Sequence, residues 1–80
     1  MTDDLEQSIR RALGDVAPDI DAASVDADAD FHDDLVLDSM DALNLAIALH
    51  EATGVDIPEI DYPQINSIAT CLSYLRSHGA

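Results

Sequence analysis

Positive charge is what this chain has least of. Three Lys and Arg stand against seventeen Asp and Glu in 80 residues, a formal net charge of −14 at pH 7. Such a chain repels nucleic acid and anionic membrane surfaces, and its field steers it toward partners with basic surfaces. Cysteine is almost absent. Cys71 stands alone, so no intramolecular disulfide forms, and its place in a helical apolar pattern reads as a small core residue. Aromatics are limited to Phe31, Tyr62 and Tyr74. The core must then be built from Leu, Ile, Val and Ala, which favours packed helices. No stretch approaches the roughly 20 apolar residues of a membrane span. Thr2-Asp3-Asp4 is acidic and no apolar run follows it, unlike a signal peptide. The cytoplasm is the expected location.

What is present suits one small domain. The sequence is 48% hydrophobic, too apolar for a disordered chain, and its length is near the lower limit for a self-sufficient core. Leu5, Ile9 and Leu13 recur at helical spacing, with Thr2, Asp3 and Asp4 as candidate caps and Gly14 as a candidate stop. Asp15 to Asp38 lacks helical period and reads as a long loop, onto which Val16, Ile20, Val25, Phe31 and Leu35 can be pinned. A second helix is predicted from Ser39 to Thr53, capped by Asp38 or Ser39 and stopped by Gly54. It has two apolar faces: Ala42, Leu45, Leu49 and Ala52 on one, Met40, Leu43 and Ile47 on the other. One face needs the core; the other needs more core, a ligand or a partner protein. Tyr62 to Ile65 reads as a short turn of helix with Pro63 near its start. A last helix begins near Ser67, capped by Asn66 or Ser67, with Ile68, Cys71, Leu72 and Leu75 as its face and residues 77–80 fraying out.

Several chemistries fail on spacing. Asp26-Ala27-Asp28-Ala29-Asp30 opens like an EF-hand loop, but Phe31 stands where the sharp turn needs Gly and Leu37 where a bidentate Glu is needed. A solvated acidic loop is the plainer reading. His32, His50 and His78 are scattered, and Cys71 has no paired cysteine for zinc. Leu37-Asp38-Ser39-Met40-Asp41 lacks the glycines of a nucleophile elbow. No enzyme is expected. Ser39 itself has two compatible readings. It is a helix N-cap, or it is an exposed hydroxyl at a helix start, an end that favours an attached anion. Asp38 and Asp41 flank it and can hold a metal ion that bridges a phosphate donor.

The run Phe31-His32-Asp33-Asp34-Leu35-Val36-Leu37-Asp38-Ser39-Met40-Asp41 resembles the attachment segment of acyl carrier proteins, which typically reads Phe-x-x-Asp-Leu-Gly-x-Asp-Ser-Leu-Asp. The resemblance continues through Leu45, Leu49, Ile57-Pro58-Glu59, Ile65, Ile68, Leu72, Tyr74 and Leu75. It implies an all-α four-helix bundle, with a long loop after the first helix and a short third helix, in which residues 1–80 form one carrier domain. It further implies that a separate phosphopantetheinyl transferase, using coenzyme A and Mg2+, attaches a 4'-phosphopantetheine to Ser39. The Ser39 hydroxyl attacks the coenzyme's phosphate and the arm remains as a phosphodiester, its terminal thiol carrying acyl groups as thioesters between enzymes. Asp38 would help place the metal in the transferase complex. Met40, Asp41, Leu43 and Ile47 would meet partner enzymes, or the three apolar ones would cover the acyl chain.

This sequence departs from the family pattern at Val36, where Gly is usual, so the turn before Ser39 must differ or tolerate a side chain. Asn44 and His50 stand where glutamates are common, Thr53 replaces a common Phe, and Asp61-Tyr62-Pro63 is unusual. These departures put in doubt a role in bulk fatty acid synthesis and point to a specialised carrier; separately, the chain is expected to be a free-standing monomer. The cargo stays open between fatty acyl, polyketide and aminoacyl groups, the last making it a peptidyl carrier of the same fold. An unmodified acidic helical interaction protein is the reading from another class.

Overall fold

The computed structural model describes residues 4–79. Among them the chain forms α1 (Asp4–Val16), α2 (Ser39–Thr53), a 3-10 helix (Glu59–Gln64) and α3 (Ile68–Ser77), with no strand. The fold is the expected all-α bundle. Both α2 and α3 pack on α1, and the 3-10 helix bridges α2 and α3.

In α1, Ile9 and Leu13 are fully buried and Leu5 packs at the edge of the core. The proposed caps Thr2 and Asp3 lie outside the described residues; Asp4 is the first helical residue. Gly14 does not stop the helix. The ladder runs on until the Ala17 amide donates to the Leu13 carbonyl at 2.9 Å. Pro18 ends it, because it has no amide hydrogen and disfavours a helical Ala17.

Residues 17–38 carry no helix, as expected, and are held at specific points. Phe31 and Leu37 are buried, while Ile20, Val25 and Leu35 pack at the core's edge with Val16 at the end of α1. The Phe31 amide donates to the Asn66 carbonyl (2.8 Å), and the Ala69 amide to the Ala27 carbonyl (2.9 Å). Arg10 supplies a clamp that sequence patterning did not reveal. Its Nη1 donates to the carbonyls of Ala22 (2.9 Å) and Val25 (2.7 Å) while its Nε pairs with Glu6 at 3.2 Å.

α2 has the predicted bounds. Its buried stripe is Leu45, Ala46 and Leu49, with Ala42 half-buried and Ala52 exposed. The assignment of Ala52 to the core face is thus corrected. At about 100° per residue, Leu49 lies near the stripe's centre, Ala46 about 50° to one side of it and Ala52 about 70° to the other. Gly54 closes the helix in the left-handed region (φ 76°), where a Cβ would be strained. The 3-10 helix starts three residues earlier than predicted. Pro58 presets the entry, and the first i→i+3 bond is Asp61 amide to Pro58 carbonyl, at 2.9 Å. Pro63 falls near its end.

α3 is capped by Ser67, whose Oγ accepts from the Thr70 amide at 3.1 Å. Its buried face is Ile68, Cys71, Tyr74 and Leu75; Tyr74 extends the expected face on one side, and Leu72 is half-buried and packs against the core at the other. Burial of Tyr74 is permitted because its hydroxyl donates to Asp61 Oδ2 at 2.6 Å. The end of α3 is also more ordered than expected. The His78 ring stacks on Tyr74 (centroids 4.1 Å apart) and its Nδ1 donates to the Tyr74 carbonyl at 2.8 Å; Ala80 lies outside the described residues.

Candidate functional site

The site is assembled where the long loop enters α2. Asp38 is the N-cap. Its Oδ1 accepts from the Asp41 amide at 3.0 Å, and its own amide donates to Asp41 Oδ2 at 3.2 Å. This reciprocal box satisfies two groups at the helix start. The choice left open by sequence is thereby decided: Ser39 is not the cap but the first helical residue. It is exposed, and its hydroxyl makes no hydrogen bond among the described residues. An unengaged hydroxyl on the first turn, flanked by acids that are themselves held in place, is free to be derivatised.

The approach to Ser39 is a tight turn. The amides of Asp34 and Leu35 donate to the Asp30 carbonyl at 2.8 and 3.3 Å, and the Leu37 amide donates to the Phe31 carbonyl at 2.9 Å. Closing the turn puts Val36 at φ 58° with its side chain 82% exposed. The position that the resemblance associates with Gly does need left-handed backbone, and here a β-branched residue adopts it.

Beside Ser39 lies an apolar cavity of about 340 Å³. Phe31, Leu37, Ala42, Leu45, Tyr62 and Ile65 form its walls, with His32, Asp38 and Asn66 at its polar positions. Sequence patterning assigned Leu45 to the core and gave no sign of this opening. Tyr62 and Ile65 reach it only through the packing of the 3-10 helix against α2. None of Met40, Leu43 and Ile47 lines it. They form a separate apolar stripe along the outer face of α2, exposed by 62%, 38% and 49%. Asp38, Ser39, Met40 and Asp41 thus cluster at the helix start, and Leu43 and Ile47 follow along the same helix.

The acidic loop uses its carboxylates to build turns. Asp26 Oδ1 accepts from the Asp28 amide at 3.0 Å, Asp30 Oδ1 from the amides of His32 and Asp33 at 2.8 and 2.9 Å, and Asp34 Oδ2 from the Asp30 amide at 2.8 Å. Among the described residues no group of three or more His, Cys, Asp or Glu side chains is arranged to hold a metal ion. Nor is any helix there long and apolar enough to cross a membrane.

These residues fit a phosphopantetheine arm. A phosphodiester on Ser39 would sit at the positive end of α2, and the apolar cavity beside it offers cover for a chain attached to the arm. Comparison with known proteins agrees. The family model for the phosphopantetheine attachment site matches residues 4–75. An acyl carrier protein of Solidesulfovibrio magneticus is 41% identical over 57 residues, which span 71% of this chain and 73% of that protein. The chain belongs to the acyl carrier protein family, whose prosthetic group is a covalently bound 4'-phosphopantetheine.

Proposed function

We propose that Ser39 is the attachment residue and that residues 1–80 act as one carrier domain, delivering acyl groups between enzymes without catalysis of its own. The supporting observation is the free Ser39 hydroxyl on the first turn of α2, with Asp38 doing the capping and an apolar cavity alongside. When bound, the arm supplies a terminal thiol that holds the acyl group as a thioester. The chain supplies the rest. α2 offers its positive end to the phosphodiester, and Asp38 retains a second carboxylate oxygen, outside the capping box, for the metal of the transferase complex. Met40, Leu43 and Ile47 give an exposed apolar stripe for partner enzymes, with Asp41 as a nearby charge. The partners are a phosphopantetheinyl transferase and acyl-transferring enzymes with basic surfaces, met in the cytoplasm by a monomeric carrier. The departures at Val36, Asn44 and His50 support a specialised pathway over bulk fatty acid synthesis.

The test is mass spectrometry after incubation with a phosphopantetheinyl transferase, coenzyme A and Mg2+. The native sequence should gain one arm, located on the peptide containing Ser39, and Ser39→Ala should gain none while keeping its helical circular dichroism. An arm on the Ser39→Ala protein defeats the assignment.

A further inference from the structure

A phosphodiester at Ser39 brings a permanent negative charge into the most acidic part of the chain, and few groups can answer it. Between Arg11 and Arg76 the only side chains able to become cationic are His32 and His50. His50 lies in the last turn of α2, its Nδ1 3.0 Å from the Val55 carbonyl. His32 lines the same cavity as Asp38 and Ser39.

The ring of His32 is held in a defined way. Its Nδ1 lies 3.1 Å from the Leu37 carbonyl. A carbonyl only accepts, so Nδ1 carries the hydrogen and Nε2 is the free end, a lone pair when the ring is neutral and a donor when it is protonated. The tether joins the ring to the residue just before Asp38-Ser39. The backbone of His32 is fixed as well, because its amide donates to Asp30 Oδ1 at 2.8 Å and its neighbour Phe31 is buried. The charged groups around it are Asp30, Asp33 and Asp34 on its own turn and Asp38 in the lining of the same cavity; Asp41 is boxed with Asp38 at the start of α2. The 3-10 helix and the segment before α3 contribute the neutral Tyr62 and Asn66.

We propose that His32 is the binding residue for the phosphodiester of the arm: its free Nε2, once protonated, donates to a phosphate oxygen on Ser39. The inference rests on Ser39 being the attachment residue. It explains why an imidazole lining the cavity beside Ser39 is tethered by only one of its nitrogens. It also gives the arm a fixed point at its root, on the cavity side of Ser39.

The experiment compares apo and holo protein, with loading and its position checked by mass spectrometry, in NMR titrations of all three histidines and of the phosphorus resonance. A new unit charge about 4 Å from the ring in a water-like surrounding corresponds to a rise in midpoint of roughly 0.7 pH unit. That rise is expected for His32 on loading, while His50 and His78 stay within about 0.1 unit. The phosphorus resonance should inflect at the His32 midpoint, and His32→Gln should remove the inflection while still accepting the arm. Loading at Ser39 with an unmoved His32 midpoint, or a phosphorus inflection that survives His32→Gln, overturns this proposal alone. Loading at another residue overturns it together with the attachment reading.

Discussion

Val36 and Asp38 sit two residues apart and illustrate opposite uses of a side chain. Val36 is held at φ 58° and is mostly exposed, so it bears the cost of a left-handed β-branched residue without burying area in return. That conformation costs about 1–2 kcal/mol, while glycine's greater freedom in the unfolded chain takes back about 0.4–1 kcal/mol. Val36→Gly should therefore raise stability by about 0.5–1 kcal/mol in urea denaturation; a loss of stability would mean that the exposed side chain has packing value. Asp38 combines two roles, the cap of α2 and the proposed metal-placing acid, and these separate by substitution. Asn caps as well as Asp, whereas Ala costs about 1 kcal/mol. Asp38→Asn should keep the melting temperature and still slow transfer of the arm, and Asp38→Ala should lower both. If Asp38→Asn loads at the native rate, Asp38 is a cap and nothing more. Ser39→Ala, by contrast, removes no capping bond and should leave stability nearly unchanged.

At the level of elements, the long loop is the part that needs explanation, since it has no ladder of its own. Arg10 of α1 reaches the carbonyls of Ala22 and Val25 and fixes the first half of the wrap; Phe31 and Leu37 fix the second by burial. Hydrogen bonds from a charged donor contribute about 1.5–3 kcal/mol. Arg10→Ala should destabilise by about 2 kcal/mol, and Arg10→Lys should recover only part of it, because a single ammonium does not reproduce the guanidinium fork. Arg11→Ala, at an exposed position on the same helix, should stay within about 0.5 kcal/mol. Equal effects at the two positions would show that the clamp contributes nothing in solution.

The whole molecule is dominated by its net charge of −14. Ten of the acids lie between Asp15 and Asp41 with no Lys or Arg among them. Their carboxylates stabilise turns locally, yet their mutual repulsion weakens the compact state. Added salt and millimolar divalent cations should raise the melting temperature by screening. Calorimetry with calcium should show no saturable one-to-one site in the micromolar range; finding one would revive the EF-hand reading. Alkaline pH acts through the core. Burial pushes the Cys71 thiol up to about 12, and the hydrogen bond to Asp61, with desolvation, pushes the Tyr74 phenol up to about 12. Below pH 9 both groups are protonated whether the chain is folded or not. Above about 9 the unfolded thiol, and above about 10 the unfolded phenol, release protons that the fold retains. Stability should thus decline between pH 9 and 12. Cys71→Ala should delay the onset to about pH 10, where the unfolded phenol begins to ionise; an unchanged onset would remove Cys71 as its source.

The bounds of α2, the start of α3 near Ser67, the all-α class and the Asp-Ser-Met-Asp segment were legible in the sequence, while the choice of Ser67 over Asn66 as cap came from the structure. Each depends on residues within a few positions of one another, where period, capping and turn chemistry act. The errors have a common source. Gly14 did not end α1, Ala52 did not join the core, and Tyr74 joined the buried face of α3 beside the expected residues, because each outcome depends on a neighbour distant in sequence or on a stronger local stop. The cavity beside Ser39 is the clearest case. Its walls come from the loop at Phe31, from α2 at Leu45 and from the 3-10 helix at Tyr62, and no periodicity links those positions. The sequence by itself determined which hydroxyl stands at a helix start between two acids. The tertiary structure decided that Asp38 caps the helix in its place, that Arg10 holds the loop which delivers it, and that a largely apolar cavity lined in part by His32 opens beside it. Those contacts join residues far apart in the chain, and only packing brings them together.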